Sequence, residues 1–243
     1  MNFNETTIRA ALGDTALPLY LFDSIDSTNS ECRRRLAAGE RRCIVIADRQ
    51  TAGRGRRGRS FYSPPDAGLY MSLLLRPEGG AASAVGVTTC AAVRAAEAVE
   101  ALTGKRCGIK WVNDLYYGGK KVCGILAEAV GDAVIVGIGI NLLPTAAPPE
   151  LSEIMGCLDA PGVRDALAGT IARGVLDYVP GDVSHMDGYR RRSVVLGRRV
   201  RFADGEGVAA EILDDGALAV ETAAGRVILR SGEVSLTAIE GLK

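Results

Sequence analysis

Histidine is almost missing from this chain, with His185 alone among 243 residues. A Ser-His or Cys-His nucleophile system needs its base beside the nucleophile. His185 lies outside every polar cluster described below, so neither system is expected. Paired cysteines are missing too. Cys32, Cys43, Cys90, Cys107, Cys123 and Cys157 form no CxxC, which argues against a zinc site and against a disulfide framework. They read as reduced, small apolar residues of a cytoplasmic protein. Ala133 to Leu143, the most apolar stretch, falls well short of the roughly 20 residues a bilayer span needs. The polar start, Met1 to Arg9, has no signal-peptide core. An excess of one charge is also absent. Lys plus Arg and Asp plus Glu stand at 29 each, so no global pull on nucleic acid is expected and any basic function must be local. Neither a GxxxxGK[ST] phosphate loop nor a GxSxG elbow occurs.

What is present is enough apolar material for a proper core, at 47% hydrophobic residues. Leu17 to Phe22 reads as a strand. A capping-box spacing of Thr28 and Glu31 then opens a helix that Gly39 stops. Cys43–Ala47 and Leu69–Leu75 read as strands, and Ser83–Leu102 as a long helix whose buried face carries Val85, Thr88, Ala92, Ala95, Val99 and Leu102. Strand Gly108–Val112 leads to a hairpin arm over 116–129, turned at Gly118-Gly119. Val134–Ile138 is a further strand, and Val163 to Tyr178 marks a last long helix. After about residue 190 short strands alternate with Asp/Gly turns: Val194–Phe202, Gly207–Leu213, Ala217–Glu221, Arg226–Arg230 and Glu233–Ala238. That rhythm predicts a small β-barrel. The expected division is 1–190 for an α+β domain and 191–243 for the barrel.

The densest signal is Arg49 to Arg59, with five arginines in eleven residues. Gly53, Gly55 and Gly58 fit GxGxxG, but a dinucleotide fingerprint must open a helix, and turn chemistry at Ser63-Pro64-Pro65-Asp66 follows instead. Three readings stay open on these residues: a solvated basic loop, a nucleic-acid patch, and an anion-binding lid. Neutral net charge and the lack of interleaved aromatics disfavour the second. For the third, arginine supplies a permanent charge with a bidentate fork for phosphate or carboxylate, and glycine lets backbone approach a ligand. Such a loop can shield a labile intermediate from water.

Four other clusters sit at strand ends or turns, where ligand-binding residues gather. They are Ser27-Thr28-Asn29, Lys110-Trp111-Val112-Asn113-Asp114, Lys120-Lys121 before Val122-Cys123-Gly124-Ile125-Leu126, and Gly137-Ile138-Gly139-Ile140-Asn141. Plain helix capping, a surface lysine with a turn, and an exposed hairpin tip are the structural alternatives for the first three. Two glycines within a strand mark close backbone approach. The cationic and amide side chains suit phosphate positioning with the nucleophile supplied by a substrate.

In this order the clusters resemble the biotin–protein ligases, the biotin–[acetyl-CoA-carboxylase] ligases. The similarity runs from about residue 20 to 143, and Gly232-Glu233-Val234-Ser235-Leu236 resembles the end of the family's SH3-like C-terminal domain. It implies a mixed-sheet biotin/lipoate-ligase-like catalytic domain followed by an SH3-like barrel. It also implies a two-step reaction in which biotin and ATP form biotinyl-AMP, and a lysine of a biotin carboxyl carrier domain then takes the biotin. Carried over by position, the resemblance gives Ser27, Thr28, Asn29, Gln50, Arg54, Gly55, Arg56, Lys121 and Gly124 to biotin. Arg54, Arg56, Arg59, Lys110, Asn113, Lys121 and Asn141 go to ATP. Arg56, Lys121, Lys110 and Asp114 carry the chemistry. Mg²⁺ is implied with the nucleotide, without assigned ligands, and the resemblance leaves the assembly open between a monomer and a homodimer; no nucleic-acid or membrane partner is expected.

Three features depart from the family pattern. Val112 replaces the usual proline between Trp111 and Asn113, Phe61 stands where tryptophan is common, and only about 16 residues precede the first strand, which suits a ligase-only chain without a DNA-binding domain. The rival enzyme is a lipoate–protein ligase, which shares the fold and the acyl-adenylate logic. The rival from another class is a nucleic-acid-binding module built on the arginine loop, and a third alternative is a catalytically dead biotin-binding protein.

Overall fold

The computed structural model describes residues 3–78 and 80–236. The chain begins with a helix the sequence pattern did not announce, α1 (Glu5–Leu12). Its only buried residues are Ile8 and Leu12, one turn apart, too few to set a 3.6-residue period. Asn4 caps it by accepting from the Thr7 N–H. Tertiary packing holds it: a Cβ at Gly169 would stand 2.3 Å from the Ile8 carbonyl oxygen, so only glycine permits this approach.

The main sheet follows. Its strands are β1 (Leu19–Ile25), β2 (Cys43–Gln50), β3 (Gly68–Leu75), β4 (Gly108–Lys110), β5 (Asp114–Tyr117), β6 (Lys120–Val130) and β7 (Ala133–Asn141). Their spatial order is β1-β2-β3-β7-β6-β5-β4. The β1–β2 pair is parallel and the others antiparallel, so the sheet is mixed as expected. The hairpin turn falls at Gly118-Gly119, both with positive φ.

Between β1 and β2 runs α2 (Thr28–Ala37). Its cap is one residue earlier than the expected capping box. Ser27 is the N-cap and accepts from Ser30, while Glu31 pairs with Arg34 and Arg35. On the opposite face of the sheet lie α3 (Ala84–Thr103) and α4 (Arg164–Leu176), followed by α5 (Met186–Arg192). The expected stripe on α3 holds at Thr88, Ala92, Ala95 and Val99 but fails at its ends. Val85 is 36% and Leu102 39% exposed, because the helix is buried on more than one side by α4, α5 and the sheet. Val87, Ala91 and Ala96 complete the contact. The buried α3 valines, Val87, Val93 and Val99, are each worth about 1.5–3 kcal/mol of burial, and the alanines between them let the helix lie close to its neighbours.

The C-terminal strands are β8 (Arg199–Phe202), β9 (Gly205–Ile212), β10 (Leu218–Thr222), β11 (Gly225–Leu229) and β12 (Ser235–Leu236). They form one antiparallel sheet in the order β11-β10-β9-β8-β12. The expected first strand began too early. Residues 194–198 instead bridge the two parts, with Val194 donating to the Ile109 carbonyl. The last expected strand is only Ser235–Leu236, and its final two positions lie outside the described residues. Val195, Val200, Ala209, Ile212, Leu218 and Val220 share one apolar cluster with the main sheet. Trp111 Nε1 donates to Gly216 O at 2.8 Å and Arg190 Nε to Ile212 O at 2.8 Å across the same seam.

The unexpected helix α5 carries a buried anchor. The Tyr189 hydroxyl donates to Val112 O at 2.9 Å, just beyond the cis Trp111–Val112 peptide. Tyr189→Phe leaves that carbonyl unpaired in a water-free environment. We expect a loss of about 1–3 kcal/mol, read as a lower denaturation midpoint at unchanged m-value.

Candidate active site

Alternation along the strands decides which side chains meet at the site. Val45, Ser72, Gly137 and Leu126 are register partners in β2, β3, β7 and β6, so they share one face. On this face Gly124 pairs with Gly139, leaving the sheet bare of side chains. The bare patch is filled from above. A Cβ on Gly139 would stand 2.4 Å from Phe61 Cε1, and one on Gly137 would stand 2.2 Å from Asn29 Oδ1. The close approach expected from the two glycines is therefore made by Phe61 and Asn29.

Polar groups line one end of the cleft. The N-terminus of α2 presents Thr28 and Asn29, both buried. The Thr28 N–H donates to Gln50 Oε1 at 2.9 Å, and Gln50 Nε2 donates to Ser63 Oγ at 2.9 Å. Ser72 Oγ lies 2.7 Å from Thr28 Oγ1 and 2.6 Å from Asn29 Oδ1. Ser27 does not join them. It is buried at the helix cap, outside the residues lining the cleft.

The arginine loop closes the other side. Its stem is an extension of β2, with Phe61 N–H donating to Gly53 O and Gln50 N–H to Ser63 O. Gly55 N–H donates to Arg59 O, and the tip is a short 3₁₀ turn, Arg56–Gly58, with Arg57 at φ 55°. No α-helix follows the glycines, which removes the dinucleotide reading. Arg54 pairs with Glu128 at 2.9 Å, and Arg56 Nη1 donates to Asn113 Oδ1 at 2.9 Å. Two contacts reach the C-terminal part. Arg56 Nη2 donates to Gly232 O at 2.9 Å, and Arg59 pairs with Glu233.

Two lysines complete the cationic wall. Lys121 Nζ stands 2.8 Å from Asp114 Oδ1, reaching diagonally across the β5–β6 pair, in which Lys121 is opposite Tyr116. Lys110 is half-buried over the Tyr116 ring. Burial lowers the pKa of both Lys110 and Arg56, and raises that of Tyr116 to about 12. The Arg59 hydrogen bond holds the Glu233 carboxyl below its ordinary value. Asn113 Nδ2 donates to Ile125 O at 2.7 Å and Asn141 Nδ2 to Gly156 O at 2.9 Å, so both amides are fixed by backbone. Charge and lining together give a cleft with an apolar floor, a polar end and a row of cations. Such a cleft suits an acid and a phosphate compound side by side.

Thr28, Asn29, Gln50, Arg54, Gly55, Arg56, Arg59, Lys110, Asn113, Asp114, Lys121, Gly124 and Asn141 all border this one cleft. Sequence reasoning missed Ser72 and Glu128, which stand behind the lining residues, and the Leu151–Met155 stretch, which joins the lining. The first two are alternate residues of ordinary strands with no motif around them. The third follows a loop and is brought in by backbone pairing, Lys121 N–H to Ile154 O and Gly156 N–H to Lys121 O, each 2.8 Å. Glu233, which the sequence pattern places only in the C-terminal strands, also lines the cleft.

A model of the biotin/lipoate A/B protein ligase family matches residues 21–142. The bifunctional ligase/repressor of Bacillus spizizenii is 32% identical over an alignment covering 96% of this chain and 79% of that protein. The biotin–[acetyl-CoA-carboxylase] ligase of Paracoccus denitrificans is 36% identical, covering 86% and 96% respectively. Among solved structures, the biotin protein ligase from Aquifex aeolicus in complex with biotin and ATP is similar with a TM-score of 0.76 at 29% identity, over 90% of this chain and 98% of that one. The chain belongs to the biotin/lipoate A/B protein ligase family, and within it to the biotin–protein ligases.

Proposed function

We propose that the cleft joins biotin to ATP as biotinyl-AMP and then passes the biotin to a lysine of a biotin carboxyl carrier domain of acetyl-CoA carboxylase or a related carboxylase. The observation that carries this reading is the meeting of Arg54, Arg56, Arg59, Lys110 and Lys121 beside a glycine-floored cleft that ends in Thr28, Asn29 and Gln50. In the first step a carboxylate oxygen of biotin attacks the α-phosphorus. The new C–O–P linkage forms as the bond from the α-phosphorus to the bridging oxygen breaks, and pyrophosphate leaves. In the second step the acceptor amine attacks the acyl carbon. A C–N bond replaces the C–O bond, AMP leaves with the electron pair, and the amine loses a proton.

Neither step needs a protein nucleophile, and His185, bonded to Thr89, is not among the residues that line the cleft. The protein's part is charge and placement. Thr28, Asn29 and Gln50 hold the ring head group, with Ser27 supporting them as the helix cap. Lys121 faces the two anions that must meet, Arg54, Gly55 and Arg56 cover them, and Lys110 and Arg59 take the outer phosphates. Asp114 orients Lys121, and Asn113 orients Arg56. Asp114 and Glu233, paired here with Lys121 and Arg59, are the carboxylates that border the cleft and would be the residues to hold a Mg²⁺ brought in with the nucleotide, where it would offset phosphate charge.

The test is ATP–pyrophosphate exchange with each acid separately. Biotin should support exchange and lipoate should not. Exchange with lipoate alone would replace this reading by that of a lipoate–protein ligase. Gly139→Ala serves as a geometric check. The new methyl displaces the Phe61 ring, an overpacking cost of about 1–3 kcal/mol. We expect the KM for biotin to rise about tenfold or more, with the KM for ATP little changed.

A further inference from the structure

Glu128 belongs to no sequence motif and takes no part in the steps above, yet it sits behind the polar end of the cleft. It lies on the glycine face of β6, two residues beyond Leu126. Its side chain is only 14% exposed and receives three donors: Asn29 Nδ2 at 2.8 Å, Arg33 Nη2 at 2.9 Å and Arg54 Nη2 at 2.9 Å. Burial alone would raise its pKa, but the hydrogen bonds from Asn29 and Arg33, with the charges of Arg33 and Arg54, bring it below the ordinary value. Glu128 is therefore an ionised, acceptor-only group.

That property fixes every proton in the row beside it. An ionised carboxylate can only accept, so the Asn29 amide must turn its NH₂ towards Glu128. Its Oδ1 then faces Ser72, and since an amide oxygen only accepts, Ser72 must donate. Ser72 has one hydroxyl proton. Its 2.7 Å contact with Thr28 Oγ1 must therefore run the other way, Thr28 donating to Ser72. Thr28 has one proton as well, so its 3.1 Å contact with Gln50 Oε1 is not the one served, and Gln50 Oε1 accepts from the Thr28 backbone N–H instead. The donations run Thr28 to Ser72 to Asn29 to Glu128, ending on the negative charge. Thr28 is left presenting lone pairs, and Asn29 retains one free N–H. Gly137 holds the same amide from below, because any Cβ there would displace it.

We infer that Glu128 is a positioning residue that sets the hydrogen-bond polarity of the biotin head-group end of the cleft by fixing the Asn29 amide. This inference rests on the proposed activity, and it adds a determinant of which heterocycle is accepted. Directed chains of this kind strengthen one another and lose that order when the terminal charge is removed.

The test compares two replacements that separate polarity from packing. Glu128→Gln keeps the size but can donate, which lets the Asn29 amide reverse. Glu128→Asp is shorter but still only accepts. Biotin and ATP binding to the full chain are measured separately by calorimetry, with thermal denaturation alongside. The expected result is a roughly tenfold to fiftyfold loss of biotin affinity in Glu128→Gln, a smaller loss in Glu128→Asp, and unchanged ATP affinity in both. Arg33 and Arg54 are exposed enough to be hydrated in either variant. Equal losses, a larger loss in Glu128→Asp, or parallel loss of biotin and ATP would overturn the inference. Should either variant fail to fold, Ser72→Ala breaks the row at its centre. It should weaken biotin about threefold to tenfold without touching ATP, and no change would overturn the inference. Absence of biotin-dependent pyrophosphate exchange in the parent protein would instead count against the proposed activity.

Discussion

Exchanging Lys121 for glutamine should lower biotin-dependent ATP–pyrophosphate exchange about a hundred- to thousandfold, the usual cost of removing one well-placed charge from a developing anion. Two negatively charged partners, a carboxylate and a triphosphate, must come within bonding distance, and their repulsion in a partly dry cleft is the first obstacle. Lys121 is placed for that task by three constraints. Its backbone is paired on both sides, to β5 and to the Ile154–Gly156 stretch. Its Nζ is aimed along the wall by Asp114 at 2.8 Å. Its stem borders Gly124, where a side chain would meet Nζ at 3.2 Å. The loss should appear mainly in kcat, since the charge matters most as the new bond forms, and biotin should still be retained through Thr28, Asn29 and Gln50. Lys120→Gln is the control. That lysine donates to Ser152 O at 2.8 Å on the outside of the hairpin, and its replacement should change exchange by less than about threefold. Equal effects at the two positions would remove Lys121 from its proposed role.

The second large effect is expected at Arg56. Arg56→Gly should leave adenylation measurable but weaken retention of biotinyl-AMP about ten- to a hundredfold, as expected for losing one or two charge-assisted hydrogen bonds. Arg56 spans the loop, Asn113 and the Gly232 carbonyl, so it ties the lid to the C-terminal sheet while its guanidinium borders the cleft. Glycine would remove the charge, the tether and the bulk together. The released mixed anhydride would then acylate lysines indiscriminately. The readout is biotin on a bystander protein lacking a carrier domain, measured for parent and variant at equal turnover. Equal bystander labelling would refute the role.

Sequence alone carried the fold class and, through the resemblance, the enzyme class, and it named most of the residues that border the cleft. Lys110, Lys121, Asn113 and Asp114 stand at strand ends or turns, and Arg54, Arg56 and Arg59 crowd one short loop; taken singly a surface lysine, a hairpin tip or a solvated basic loop stayed open, and only the ordered set carried the resemblance. The glycines at 137 and 139 announced a close approach, because a strand gives up side chains only where something must lie against it. These signals are local, and local signals survive in a linear string.

What the string did not carry is long-range. The helix α1 has two buried residues and exists because α4 offers Gly169 beneath it. The α3 stripe was misjudged at Val85 and Leu102 because burial on several sides erases the single-face period. Glu128 and Ser72 look like ordinary alternating strand residues. They acquire meaning only when the strand register places one beside Asn29 and the other between Asn29 and Thr28. Glu233 enters the cleft from more than 170 positions away, through its pairing with Arg59. The sequence by itself thus determined which cationic and amide groups are available. Tertiary structure decided how they are aimed, because direction depends on register and packing between segments that the sequence keeps far apart.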